Sequence, residues 1–491
     1  MNILKIKLTS LVNILLKISL PIIIIAGIIM CFASFQGFHI ASTAVFTLIM
    51  LISLLGGYKI VNSGLNCNKK ILIILLMGAV VRILWLLNTN NTPTSDFSAM
   101  YEEAGQFVQG NRDVLKGLSY PARFPHMIMT ILYMALIRYI FPYYSLVAIK
   151  MVNLILGIGV LILLYAIAEQ IFKDKKYQLY TLLLGSLYPP FITYTSVFCS
   201  ENLAMPLYLL SILLFLKGLK KQNHMSIILI LSSAALGIGN LFRMIAVVIL
   251  IAYVIYLLVY SEQNIFKKFQ NIICITLPYM MVLILVSSCL QRINITDTPL
   301  WRGKEPKITS VLRGTNIESL GMWNAEDAQI GQDNLGDYDE IEKKSKEIIY
   351  ERLTTTPPLK IGIFYIEKLA SQWCMGDFSG SFWTQNDMDD DRIIFKVGQA
   401  GSMPFQVIYV IMLIMAFFRL INKDKSSEGF SIDLFHLILI GYIGAYLITE
   451  NQCRYGYIIS WIFIILGIDG IKAFISSSVS KKKSNEIEIS I

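Results

Sequence analysis

Two carboxylates stand where acid–base chemistry could be done beside a membrane. Asp96, in TNNTPTSDFSAMYEEAGQFVQGN, comes eight residues after an apolar run ends at residue 88, and the helical spacing that follows puts Tyr101, Ala104 and Val108 on one face. An acid held there under apolar cover could serve as the general base for an acceptor hydroxyl, or could bind a cation. The plainer alternative is an N-cap, since Asp accepts backbone N–H bonds at helix starts. Glu102 and Glu103 read as a solvated face. Glu201, in YPPFITYTSVFCSENLAMP, lies in a tight hairpin between two apolar runs. It could cap its own helix, or pair across a pocket with Asp96 so that one acid stays ionised while the other orients an acceptor or a metal.

A cationic group accompanies them: Arg123 with His126 in YPARFPHM, Arg243 at the end of 225–242, and Arg454 with Tyr455 in TENQCRYGY. Guanidinium groups make forked contacts to phosphate oxygens, and a lipid phosphate would lie at an interfacial depth. Snorkelling to ordinary headgroups, or pairing with Glu450, is the plainer reading of each arginine alone. Tyr188 with Pro189 and Pro190 shapes a helix end. His126 reads as structural or as a hydrogen-bond donor, because four scattered histidines make no ligand cluster.

The elements that must hold these residues are membrane spans. Of 491 residues, 55% are hydrophobic and 15% charged, with a mean hydropathy of +0.61. A soluble chain carries roughly a quarter charged residues, so this is an integral, all-α polytopic membrane protein. The seven cysteines show no CxxC pair and support neither a zinc site nor a disulfide scaffold. Twelve runs are long and apolar enough to cross as helices: 18–35, 40–58, 71–88, 146–169, 177–197, 201–217, 225–242, 244–260, 270–290, 402–420, 432–448 and 455–474. The first reads as a retained span after an amphipathic start, not as a cleaved signal. The spans look almost free of ionisable groups.

Orientation follows from basic residues. Lys59, Lys69 and Lys70, then Lys173, Lys175 and Lys176, then Lys217, Lys220 and Lys221, Lys267 and Lys268, Arg419, Lys423 and Lys425, and finally Lys472 and Lys481 to Lys483, all fall on one side of the twelve-span arrangement. The positive-inside rule makes that side cytoplasmic, with both termini on it and the carboxylates extracytoplasmic in a plasma membrane. Parity rejects 127–141 as a further span; this run reads as an interfacial helix on the outer leaflet.

Domain boundaries follow: 1–70 with two extra spans, a transmembrane core 71–290 with the first outside loop 89–145, an extracytoplasmic small mixed domain 291–401, spans in 402–474, and a basic tail 475–491. Segment 291–401 holds 18 acidic and 13 basic residues. The basic excess of +9 therefore lies elsewhere and is a topology signal, which excludes nucleic acid as the partner it points to. Leu359 to Trp373 reads as an amphipathic surface helix, and the Ser-rich tail from Ser476 as disordered.

The order of motifs resembles the GT-C membrane glycosyltransferases, especially the protein mannosyltransferase and aminoarabinose transferase group. SDFSAMYEEA, YPARFPHM, VNLILGIGVLILLYAIAEQIFKDKK, LLLGSLYPPFITYTSVFCSENLAMPLYLLSILLFL, GIGNLFRMIAVVIL and TENQCRYGYIISWIFIILG carry it, over residues 71–290 and 402–474. The resemblance implies transfer of a sugar from a polyprenyl-phosphate donor to an envelope glycan, lipid or protein on the extracytoplasmic face. It implies Asp96 as the catalytic acid–base residue, Glu201 as the second acid, and Arg123 as the holder of the donor phosphate. Arg243, Arg454, Tyr455, Tyr101 and His126 become further donor contacts, and a divalent cation the one cofactor to consider. A lone Asp stands where the mannosyltransferases have an Asp-Glu pair. An O-antigen-type ligase or polymerase, a polysaccharide flippase and a non-catalytic scaffold are the competing readings. A transporter predicts charges within the spans.

Overall fold

Hydrophobic length decides most of the architecture. In a computed structural model describing residues 2–33, 40–221, 224–386, 393–422 and 430–488, nine helices are long and apolar enough to cross a membrane. They are Ile3–Ala33, Thr43–Asn62, Cys67–Asn88, Ser145–Ile171, Glu201–Lys220, Met225–Phe242, Ile265–Arg292, Gly401–Ile421 and Trp461–Ser478. They fall on nine of the twelve expected spans. The amphipathic start and the first span form one uninterrupted helix, Asn2–Ala33, with Pro21 inside it. The described residues contain helices and turns and no strand.

The three remaining expected spans differ among themselves. Phe430–Ile448 covers the expected 432–448 in full, whereas Val247–Val259 is apolar but brief, spanning about 20 Å at 1.5 Å per residue against a core of about 30 Å. The run 177–197 is broken. Lys175–Ser186 ends before Tyr188, Pro189–Thr193 makes a short turn of helix, and Tyr194–Ser196 a 3-10 turn. Pro189 and Pro190 supply no N–H, so the carbonyls one turn earlier lose their helical partners. Arg82 answers them from the middle of Cys67–Asn88: fully buried, it donates through Nη1 to Ser186 O at 3.1 Å and through Nη2 to Gly185 O at 3.4 Å. Gly78 lies beneath it, where a Cβ would come within 3.1 Å of Ser186. The spans are thus not free of ionisable groups; Arg82 and Lys150 are buried in them, both bonded to backbone carbonyls.

Ile128–Ile140 is the short apolar helix expected at 127–141, and it packs on Asp96–Val108. The acidic segment expected to be mixed is helical where it is described: Ile308–Gly314, Ala325–Asp333, Tyr338–Thr355, Pro358–Trp373 and Gly380–Gln385. Its mixed polarity reflects amphipathic helices with one wet face. Phe364, Lys368, Leu369, Gln372 and Trp373 form the buried stripe of Pro358–Trp373, at helical spacing. The tail does not become irregular at Ser476. The last helix runs from Trp461 to Glu488, and neither Gly nor Pro occurs after Ser476 to stop it. Lys423 and Lys425 lie outside the described residues. Lys69 and Lys70 begin Cys67–Asn88, whose other end leads to Asp96, and Lys217 and Lys220 end the helix that Glu201 begins.

Candidate active site

Asp96 is the first residue of Asp96–Val108, and the loop before it is fixed at every step. Asn91 Nδ2 donates to Ser196 O at 3.0 Å, Lys150 Nζ donates to the carbonyls of Thr89 and Asn91, and Asn386 Nδ2 donates to Thr94 Oγ1 at 2.9 Å. Trp85 Nε1 donates to Ser196 Oγ, which in turn donates to Thr384. The broken helix around Pro189 therefore presents the polar groups that anchor the loop before Asp96. Ser95 has φ +55°, a strained value for a residue with a Cβ, of the kind that persists only where surrounding contacts impose it.

The Asp96 side chain does not cap its helix. Its Oδ1 accepts from the Tyr120 hydroxyl at 2.9 Å, and its Oδ2 lies 3.9 Å from Arg454 Nη2. The Asp96 side chain is 46% exposed, against 6% for Arg454. A carboxylate reachable from solvent therefore rests against a buried cation.

Arg454 is held flat. Its guanidinium lies 4.7 Å from the ring centroids of both Phe97 and Trp383 and 5.5 Å from Tyr455, and Nε donates to Gln452 Oε1 at 3.0 Å. Its buried Nη1 has no hydrogen-bond partner among the described residues. Such orientation of a planar fork against aromatic faces is what a lysine could not reproduce.

Glu201 opens Glu201–Lys220, where the positive end of the helix favours a carboxylate. It is 2% exposed, and its Oε1 lies 3.5 Å from Arg243 Nε. Arg243 follows Met225–Phe242 in an extended conformation; Asn240 Oδ1 accepts from Ala246 N at 3.2 Å to form the turn, and the Tyr208 hydroxyl donates to Arg243 O. Gly239 is required for that approach, since a Cβ there would meet the Tyr208 ring at 2.7 Å. Arg243 also stacks over Tyr455 at 4.6 Å, so one phenol ring touches both arginines. The Tyr455 hydroxyl donates to Glu450 Oε1 at 3.2 Å, and Glu450 Oε2 lies 3.2 Å from Arg313 Nη1. Burial and Glu450 push the Tyr455 phenol up to about 12. Glu450 is thus the partner of Arg313 and Tyr455, not of Arg454.

Asp96, Arg454, Tyr455, Arg243 and Glu201 are therefore contiguous. His126 is partly buried nearby, where burial and then the charge of Arg243 push its imidazolium down to about 4, leaving it neutral at pH 7. Arg123 is directed elsewhere: Nε and Nη2 both reach Glu305 Oε2, at 3.2 and 2.6 Å. Tyr101 faces a separate groove, with its hydroxyl 2.7 Å from Ser145 Oγ and Arg138 stacked on its ring. Glu103 is half-buried rather than solvated, and burial together with Glu102 raises its carboxyl to about 7.

Sequence reading did not find Tyr120, Trp383 or Arg313. Tyr120 sits in YPARFPHM one turn before Arg123 and carries no charge to draw notice; Trp383 and Arg313 come from the acidic segment, far along the chain. No group of three His, Cys, Asp or Glu side chains gathers to hold a metal among the described residues. Arg454 and Arg243 stand beside the two carboxylates instead.

A polytopic helical membrane protein with a polar site at one end of its spans is the class that fold and site define. Residues 121–290 match the family model of dolichyl-phosphate-mannose-protein mannosyltransferase, which supports a membrane glycosyltransferase of the GT-C type. The matched stretch includes Arg123, His126, Glu201 and Arg243, whereas Asp96 and Arg454 lie outside it. No curated protein matches the chain.

Proposed function

We propose that the protein transfers a sugar from a polyprenyl-phosphate donor to a hydroxyl acceptor of the cell envelope on the extracytoplasmic face, with Asp96 as the base. The observation that carries this reading is the half-exposed Asp96 carboxylate beside a buried, aromatic-clamped Arg454. Arg454 Nη1 is buried without a hydrogen-bond partner among the described residues, and Arg243 adds a second cation across Tyr455.

In the transfer, the acceptor oxygen forms a bond to the anomeric carbon as the bond from that carbon to the phosphate oxygen breaks. The acceptor proton goes to Asp96, and the departing phosphate keeps the electron pair, its charge offset by the guanidinium groups. Direct displacement inverts the anomeric centre. Glu201 keeps Arg243 oriented, and the Arg123–Glu305 pair fixes the turn that carries Tyr120. The positive-inside distribution of lysines supports the assignment of sides.

The test is to incubate the purified protein with a panel of polyprenyl-phosphate sugars and envelope acceptors, and to measure transfer and translocation in parallel. Transfer without translocation is expected. Translocation of a donor with no transfer would favour the transporter reading, and transfer from a pyrophosphate-linked glycan alone would favour the ligase or polymerase.

A further inference from the structure

A second polar groove, of about 640 Å³, lies on the other side of the helix that Asp96 begins. Tyr101, Glu102, Gln106 and Gln109 of Asp96–Val108 line one wall, Arg138 of Ile128–Ile140 the other, and Leu146 at the start of Ser145–Ile171 its base. Asp96 and Met100, one turn apart, share a face of this helix, whereas Ser98, Tyr101, Glu102, Gly105 and Gln109, which line the groove, lie on the opposite face. The volume falls within the range of small-molecule sites.

Two opposite charges enter this groove without neutralising each other. Arg138 lies 4.2 Å over the Tyr101 ring and donates through Nη1 to Tyr101 O at 2.8 Å, leaving its other N–H groups unbonded among the described residues. Among the described residues, Glu102 accepts only from Ser98 Oγ, at 3.0 Å. No ion pair joins the two among the described residues. Gly105 makes room for the guanidinium: a Cβ there would stand 2.7 Å from Arg138 Nη2. The backbone is thus shaped around a cation that has no carboxylate partner among the described residues.

Depth identifies the neighbourhood. Tyr139, Tyr143 and Tyr144, beside Arg138 in sequence, are 74%, 93% and 71% exposed. Aromatic side chains of that exposure at the start of a span mark the level of lipid headgroups. A groove at that level, with one cation and one anion unpaired among the described residues, complements a molecule that carries both charges close together.

We propose that the groove binds the headgroup of a zwitterionic aminophospholipid, its phosphate diester on Arg138 and its primary ammonium on Glu102, with Gln106 and Gln109 meeting the remaining polar atoms. This site is separate from the Asp96 centre and does not depend on which reaction that centre performs.

The experiment is native mass spectrometry of the full-length protein in detergent, mixed with equimolar phosphatidylethanolamine, phosphatidylcholine and phosphatidylglycerol. Wild type is expected to retain phosphatidylethanolamine about tenfold over the other two, since a charge-assisted bond on either end contributes on that order. Arg138→Gln and Glu102→Gln should each abolish the preference, and Gly105→Ala should reduce it by displacing the guanidinium with no change of charge. Equal retention of all three lipids by wild type, or an unchanged preference in the variants, would overturn the proposal. So would a preference for phosphatidylglycerol lost in Arg138→Gln but kept in Glu102→Gln, which would make the groove a simple anion site.

Discussion

The Tyr120 hydroxyl donates a 2.9 Å hydrogen bond to Asp96 Oδ1. Tyr120 comes from the turn that Arg123 pins to Glu305, so the orientation of the proposed base depends on an ion pair in another segment. Tyr120→Phe is predicted to leave the protein folded and lower kcat about tenfold, because general-base efficiency needs the carboxylate in line with the acceptor proton. Steady-state transfer rates check this; an unchanged kcat would remove Tyr120 from the account.

Arg454→Lys keeps the charge but loses the planar contact with Phe97 and Trp383. Its kcat/KM is expected to fall by about tenfold or more, with Trp383→Ala showing part of the same loss. Near-wild-type activity in Arg454→Lys would mean that charge alone suffices there.

Glu201→Gln strands Arg243 in a nearly water-free site. Breaking one partner of a buried pair costs about 3 kcal/mol, so Tm should drop by several degrees. Arg243→Gln added to Glu201→Gln should recover part of that stability while activity stays low. A double variant no more stable than the single one would contradict the pairing.

Glu103 gives a pH signature. Its carboxyl is raised to about 7 in the folded chain, against about 4.3 when unfolded. The folded state therefore binds more protons in that interval, and stability contributed by protonated Glu103 is present at low pH and lost as pH rises from about 4 through 7. Glu103→Gln should flatten this slope and stabilise the protein at pH 8 by about 1–2 kcal/mol, after allowing for partial exposure. Thermal denaturation of both proteins at pH 5 and pH 8 measures it, and parallel profiles would refute it.

Lys368 ties Ile308–Gly314 and Pro358–Trp373 to the loop that carries Arg454. Fully buried, its Nζ donates to the carbonyls of Gly314, Leu447 and Thr449 at 2.5, 2.8 and 2.7 Å, and burial lowers its ammonium to about 8. Lys368→Met is predicted to increase amide exchange through 449–459 and to raise KM more than it lowers kcat. Exchange confined to Ile308–Gly314 and Pro358–Trp373 would show that the clasp does not position the site.

Much of this arrangement was legible in the sequence because hydrophobic length and charge are local signals. The apolar runs located nine of the spans, and the positions of Asp96, Glu201, Arg243 and Arg454 at apolar-run ends brought them to one end of the bundle. What could not be read were relations set by tertiary contact. Arg82 has a place in its span only because Pro189 and Pro190 free carbonyls more than a hundred positions away. Arg123, a plausible phosphate ligand from its local motif, meets Glu305 far along the chain. Ser476 onward looked irregular from its serines, yet nothing in it stops the preceding helix.

The most direct measurement is sugar transfer by Asp96→Asn beside wild type, each checked for folding and for binding of the lipid donor. The account predicts that Asp96→Asn binds the donor as wild type does and loses at least about a hundredfold in kcat, the usual scale of general-base catalysis. Equal transfer by the two proteins would contradict Asp96 as the base and move the search for the catalytic carboxylate to Glu201.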